Sequence, residues 1–295
     1  MVKRTISFNE EFHRYTDEDN NIYTSVTTCI KDYEIPFDEK YWLNYKSNQL
    51  GLPKNFIKNQ WDSIRDESCK LGTKEHKLLE DSVNSSTNSI NSTYGKRKEN
   101  LLEGLKKITI VDIVVLRNSP LGKKYPTILE FLINKLNEGF SIYVEKRVYI
   151  YEYLVAGTID CLLIKGKEFI IADWKTNKDE LKFKSGYYKK INGIKSNQWV
   201  DKNEFFKAPL NTLPFCKGNV YSLQLSLYAY ILELWGYKCI DLQLFHILRD
   251  NSVKVYKINY LKQHCQLLLI DFKNRSSKSK NSNISFNKNI NFGIN

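Results

Sequence analysis

Two aspartates and a lysine close the far end of an apolar hairpin. In GTIDCLLIKGKEFIIADWKTNK, residues 157–178, the runs CLLI and EFIIA flank Gly166-Lys167, and glycine first in a two-residue loop suits a type II′ turn. With Lys165 facing Glu168, each outward pair keeps the same sum, so Asp160 falls opposite Asp173. Opposed side chains in an antiparallel pair lie about 5 Å apart. Alternation puts Asp160, Leu162 and Ile164 on one side, together with Phe169, Ile171, Asp173 and Lys175. Carboxylates that close repel, so either one keeps a proton or both share a cation. A hard divalent ion such as Mg²⁺ satisfies both, because it binds one or two carboxylates along with phosphate oxygens and water.

Other residues can complete such a site. Gln224 and Tyr228, in GNVYSLQLSLYAYILEL, share a helix face four residues apart, where an amide and a phenol can hold a phosphate, a water or a carboxylate. In LGTKEHKLLED, Gly72, His76 and Glu80 recur every four residues along one face, and a neutral imidazole there is a metal ligand if it meets the acids. Alone, it would read as a surface residue. Glu145, on a strand face with Tyr143 and Arg147, either adds a third carboxylate or pairs with a lysine, and the pattern favours the lysine. His13, His246 and His264 have no comparable spacing and read as structural.

The elements that must position these residues follow from periodicity. Residues 5–24 read as short strands around a DEDNN turn, and Ser25 as the N-cap of a helix beginning VTTCIKDY. About 38–85 is mostly helical. NSSTNSINSTYG, 84–95, is a polar low-complexity loop. Helices are expected near 97–107 and 126–137, then the strand SIYVEKRVYIY, the hairpin, a helix at 219–235, strands IDLQLFHIL and SVKVYKIN, and a last helix over 259–273. This order predicts an α/β (α+β) fold, a mixed β-sheet flanked by helices with an N-terminal helical elaboration. One domain is expected over 1–274, mostly helical to 140 and holding the sheet over 141–274. The acid-free tail 275–295 is expected to be a disordered basic arm.

Composition bounds the class. The 295 residues are 42% hydrophobic and 26% charged, with no apolar run long enough to cross a bilayer and no apolar leader at MVKRTISFNEEFHRY. A cytoplasmic protein with no membrane partner is expected. The six cysteines are scattered without C-x-x-C spacing, which argues against a zinc ribbon or redox pair. The net charge of +12 favours a polyanionic partner, although a chain rich in Lys, Asn, Ile and Tyr carries such charge for compositional reasons too.

Taken in order, GTKEH, GTID, DWK and QLSLY match G-x-x-x-H, G-x-x-D, D-x-K and Q-x-x-x-Y, the pattern of the RecB-like branch of the PD-(D/E)XK nuclease superfamily. The opening FHRYTDEDNNIYTSVTTCI resembles phage exonucleases of this branch and the mitochondrial genome maintenance exonucleases. The resemblance spans roughly residues 8–257 and implies a restriction-endonuclease-like core. It implies that His76, Asp160, Asp173 and the backbone carbonyl of Trp174 bind Mg²⁺ or Mn²⁺. It further implies that Lys175 orients or activates the attacking water, and that Gln224 and Tyr228 position the scissile phosphate and the lysine. Some relatives carry an iron–sulfur cluster; here Cys216, Cys239 and Cys265 lack the close spacing one needs, so none is expected. No G-x-x-x-x-G-K-[ST] loop is present, so any helicase or recombinase would be a separate partner. The expectation is a DNA exonuclease of recombination, repair or DNA degradation, of phage or viral type. The rivals are an endonuclease on the same fold and a catalytically inert nucleic-acid-binding module.

Overall fold

The structure, a computed structural model, describes residues 4–87, 111–191 and 194–288. Strands β1 (Ser7–Asn9), β2 (Arg14–Thr16) and β3 (Ile22–Ser25) form an antiparallel meander. Ser25 then caps helix α1 (Val26–Lys31) by accepting from the Thr28 amide at 3.0 Å, satisfying one orphan donor of the first turn. Helices α2 (Glu39–Leu50) and α3 (Lys54–Ser85) follow, and α3 runs for 32 residues. After the undescribed stretch come α4 (Ile113–Asn118), α5 (Pro120–Lys124) and α6 (Pro126–Asn137). Proline opens both α5 and α6, where its missing N–H is no loss.

The centre of the sheet is β4 (Ser141–Ile150), β5 (Val155–Lys165) and β6 (Glu168–Lys175). Gly166 turns at φ +60° and pairs Lys165 with Glu168, so the predicted register holds out to Cys161↔Ala172. A separate antiparallel hairpin, β7 (Gly186–Ile191) and β8 (Ile194–Asp201), precedes α7 (Lys217–Leu234). Strands β9 (Lys238–Ile247) and β10 (Val253–Lys257) complete the sheet, and α8 (Lys262–Lys288) ends the described chain. The order is β1-β2-β3-β5-β6-β9-β10, with β4 also on β5. β3 runs parallel to β5 and β6 parallel to β9, and the other pairs are antiparallel.

Alternation sorts the two faces into two cores. Leu162, Ile164, Phe169 and Ile171 pack with α1, α7 and α8, while Cys161, Leu163, Ile170, Ala172 and Trp174 pack with α3, α4, α5 and α6. The result is a mixed sheet between two helical layers, the arrangement that buries both faces of such a sheet. No helix among the described residues is long and apolar enough to cross a membrane.

The pairing leaves an opening that matters later. β4 follows β5 along its whole length, so β3, at Val155 and Ala156, and β6, from Cys161 outward, must share the other edge. Residues 157–160 lie between them.

Some expectations need amendment. The last helix continues past 273 to Lys288, so 275–288 is helical where a disordered tail was expected. The short helices α4 and α5 and the β7–β8 hairpin carry too little periodicity to be foreseen. The helix expected at 97–107, and most of the polar loop over 84–95, lie outside the described residues; α3 itself reaches Ser85.

Candidate metal centre

Three neighbouring strands each bring one carboxylate to the opening in β5. Glu145 on β4 and Asp160 on β5 stand in one register row, since Val144 pairs with Cys161 and Lys146 with Ile159. Asp173 on β6 is one step beyond Cys161↔Ala172 and so continues that row. Here the sheet departs from strict alternation. Tyr143 shares its core with Val148 and Ile150, and Leu162 with Ile159 and Val155, odd offsets that a flat strand does not give. The break centres on Glu145, at φ +50°, an uncommon backbone for a residue with a Cβ. Backbone held this way marks a place where surrounding structure fixes a side chain.

From one face, α3 delivers His76. Its fit depends on Gly72: a Cβ there would lie 3.3 Å from Thr176 Oγ1 just beyond β6, so glycine lets the helix run close to the strand end. His76 Nε2 lies 3.0 Å from the Trp174 carbonyl. In the neutral ring that bond makes Nε2 the donor and leaves the Nδ1 lone pair free, 3.6 Å from Asp160 Oδ2. The same Oδ2 accepts from the Trp174 amide at 2.9 Å. One peptide unit on either side of Trp174 therefore aims both the imidazole and the carboxylate, the supporting arrangement usual behind a ligating histidine.

His76, Glu145 and Asp160 offer ligand atoms that all lie within 4.8 Å of one another, a set that could hold a metal ion. Its donors are one nitrogen and carboxylate oxygens with no thiolate, which suits oxygen-preferring and borderline divalent ions. Burial, then Asp160, Glu80 and Asp173, push the Glu145 carboxyl up to about 8. Burial and Asp160 push Asp173 up to about 6, against the opposing pull of Lys175. A cation among them removes the charge conflict that these shifts express.

Asp173 is almost wholly buried, and its Oδ2 lies 2.5 Å from the Lys175 ammonium. Burial alone would lower the lysine's pKa, but Asp173 and Asp160 outweigh it and hold it above its ordinary value. From the other face, α7 brings Gln224, which donates to the Tyr228 hydroxyl at 3.3 Å. Tyr228 reaches the site because position 157 is glycine: a Cβ there would stand 2.6 Å from the Tyr228 ring. Burial raises the Tyr228 phenol well above its ordinary range, so it stays a neutral donor.

Of the predicted residues, His76 and Asp160 meet directly, Trp174 supports both through its backbone, and Asp173 stands with Lys175 beside them. Gln224 and Tyr228 approach from α7, on the face opposite His76. Glu145 departs from its expected lysine pairing and joins His76 and Asp160. Sequence reasoning missed a further chain. The Lys175 ammonium sits 4.9 Å from the centroid of Tyr221, whose hydroxyl donates to Asn177 Oδ1 at 2.8 Å. The Asn177 carbonyl accepts from Nε2 of the buried His246 at 2.7 Å. Tyr221 had a signal, since it is three residues before Gln224 on the same helix face. His246 had none, because its place beside Lys175 comes from the parallel β6–β9 register.

No family model matches the chain, and no curated protein matches it. Among solved structures, one described as "Crystal structure of SSO0001" is 16% identical and covers 66% of this chain and 83% of its own, with a TM-score of 0.25. That likeness is too slight to carry an argument.

Proposed function

We propose that this protein is a metal-dependent deoxyribonuclease with a restriction-endonuclease-like core, acting as an exonuclease on DNA ends. The observation that supports it most is the meeting of His76, Glu145 and Asp160 within 4.8 Å, beside the buried Asp173–Lys175 pair. Three of the four short motifs supply His76, Asp160 and the Asp173–Lys175 pair, with Glu145 coming from β4 outside them, and the order of the four resembles that of the RecB-like nucleases.

His76, Glu145 and Asp160 would hold Mn²⁺ or Mg²⁺, with Asp173 completing the negative wall. When bound, the ion would act as a Lewis acid on the phosphate and lower the pKa of a water. Trp174 holds two ligands in aim before any ion arrives, so little reorganisation is left for the reaction. Lys175, seated between Asp173 and the Tyr221 ring, orients the attacking water and stabilises charge on the phosphate oxygens. The Gln224 amide and Tyr228 hydroxyl fix the phosphate and the ammonium from the α7 side. The exonuclease part of the reading rests on the chain's opening segment. The setting would be the cytoplasm, in recombination, repair or DNA degradation, with any helicase or recombinase a separate protein.

The test is digestion of end-labelled linear DNA, single-stranded and duplex, with Mn²⁺ or Mg²⁺ against EDTA. Label release that needs the ion and vanishes in Asp160→Ala and Lys175→Ala is the expected result. Unchanged activity in those variants removes the assignment. Efficient linearisation of a covalently closed circle replaces the exonuclease by an endonuclease on the same site.

A further inference from the structure

Helix α2 poses a problem that the metal centre does not solve. It packs against α3 yet buries none of its residues, and it carries three aromatic side chains in the open. Tyr41 and Tyr45 stack at 6.4 Å with 13° between planes, and both meet Trp42 edge-on at 5.3 and 5.6 Å. All three are exposed. An exposed aromatic patch of this kind marks a binding surface more often than an accident of packing.

Trp42 lines a groove of about 660 Å³ together with the start of the β7–β8 hairpin, where Tyr187 is exposed. The lining is rich in lysine: Lys182, Lys184, Lys202 and Lys217. Over residues 182–202 the chain has six lysines and one acid, Asp201. The groove's own acids are partly engaged, Glu180 by Lys254 at 2.8 Å and Glu204 by Lys202 at 3.7 Å, with Asp179 the third. On the hairpin, Tyr188 and Trp199 meet edge-on at 5.1 Å, with Lys182 5.3 and 5.1 Å from their centroids.

The groove leads to the candidate centre. Lys217 on its wall lies 5.2 Å from the centroid of Tyr221, and Lys175 lies 4.9 Å from the same centroid. A polyanion lying against Lys217 is therefore one aromatic ring away from the lysine that would face the scissile phosphate.

We infer that this groove binds a segment of single-stranded DNA, its bases stacked on Trp42 and Tyr187 and its phosphates on Lys182, Lys184 and Lys217. The inference rests on the nuclease reading for the identity of the polyanion as DNA. Flat aromatic walls engage bases whose faces are open, which a single strand offers and a stacked duplex withholds. Lysines that follow the phosphates add affinity without sequence preference. The groove thus selects strand form.

Fluorescence anisotropy on the full chain in EDTA tests this, with labelled oligothymidylate against a duplex of equal length. Oligothymidylate should bind at least about tenfold more tightly than the duplex. Trp42→Ala combined with Tyr187→Ala should weaken it about tenfold or more, and Lys184→Glu, at an exposed position that the fold does not need, should weaken it severalfold. Circular dichroism checks that each variant folds. Equal affinity for both forms overturns the inference, as does wild-type affinity in a folded Lys184→Glu protein; absence of any DNA binding does too, and hands the groove to a protein partner. EDTA separates this result from turnover. A protein that cleaves DNA without preferring single strands loses the inference and keeps the nuclease reading, and one that grips oligothymidylate but never cleaves does the reverse.

Discussion

Around Asp160 the side chains are buried or half-buried and hold one another: the Trp174 backbone fixes His76 and Asp160, and Lys175 fixes Asp173. Around Trp42 and Tyr187 they are exposed, with Trp42 meeting its helix neighbours Tyr41 and Tyr45 edge-on. The contrast suits the two tasks proposed for them. Chemistry at a phosphate demands ligands preorganised to about 0.5 Å, whereas a groove that tracks a strand of varying sequence tolerates slack and gains from it. Substitutions at the first region should therefore destroy turnover with DNA binding retained, and those at the second should weaken binding with the metal centre intact.

The largest effect is expected from Asp160→Ala. It removes a proposed ligand and the acceptor of the Trp174 amide, so turnover should fall by about 10³-fold or more, while anisotropy with oligothymidylate in EDTA moves little. A comparable loss in binding would break the distinction between the two regions. Glu145→Gln comes next. It keeps the shape of the side chain but removes its charge, and Mn²⁺ affinity by calorimetry should fall by about 10- to 100-fold. Wild-type affinity in that variant would return Glu145 to a purely structural role.

These two residues also show how far the sequence was legible. Asp160 was readable because Gly166 fixes the hairpin register, which brings it into one row with Asp173; its face was less so, because alternation breaks between Ile159 and Leu162. In sequence Glu145 reads only as sharing a strand face with Tyr143 and Arg147, as a third carboxylate or a lysine's partner; nothing in IYVEKRVYI announces a left-handed residue at 145, and a lysine looks the simpler partner. His76, Gln224 and Tyr228 were readable as i, i+4 patterns, and Gly72 and Gly157 as members of motifs. Their physical reason, the close approach of Thr176 and of the Tyr228 ring, needed the packing of helices on a sheet. The hairpin β7–β8 lay behind an Asn192-Gly193 turn signal in a run too polar to look like a strand. The extension of α8 beyond 273 has no apolar stripe in the sequence to foretell it.

Acidity gives a third test. With its folded pKa raised from the ordinary 4.5 to about 8, Glu145 keeps a proton that the unfolded chain releases earlier. Metal-free protein therefore binds more protons when folded than unfolded across that window, and its stability should fall as pH rises from about 4.5 to about 8. Asp173, raised from 3.8 to about 6, adds to the lower part of the same slope. A bound ion replaces the proton, so the gain in Tm on adding Mn²⁺ should grow with pH over this range. Glu145→Gln should flatten the EDTA curve. A wild-type curve already flat in EDTA would mean that the acids do not strain one another.

Gly157→Ala probes the rigidity of the buried region without touching a charge. The added methyl meets the Tyr228 ring at 2.6 Å, and overpacking of this kind costs about 1–3 kcal/mol. The Tm should drop, and kcat should fall more than KM rises, because Tyr228 and Gln224 are displaced from the phosphate side. A fully stable and active variant would show that α7 can slide away from β5, contrary to a site built on fixed distances.

The smallest effect belongs to the open region and is a slope. If Lys184 meets one phosphate of a bound single strand, losing that contact should reduce the magnitude of the slope of log K against log salt by about 0.7. Asp160→Ala should leave the slope unchanged. The measurement is anisotropy in EDTA at a series of salt concentrations, where a uniform shift in affinity cannot mimic a change in slope. Should Lys184→Glu and wild type give parallel lines, the groove lysines would lie beside the strand without neutralising it. The aromatic residues would then carry the binding alone, and the two regions would differ in exposure but not in electrostatic task.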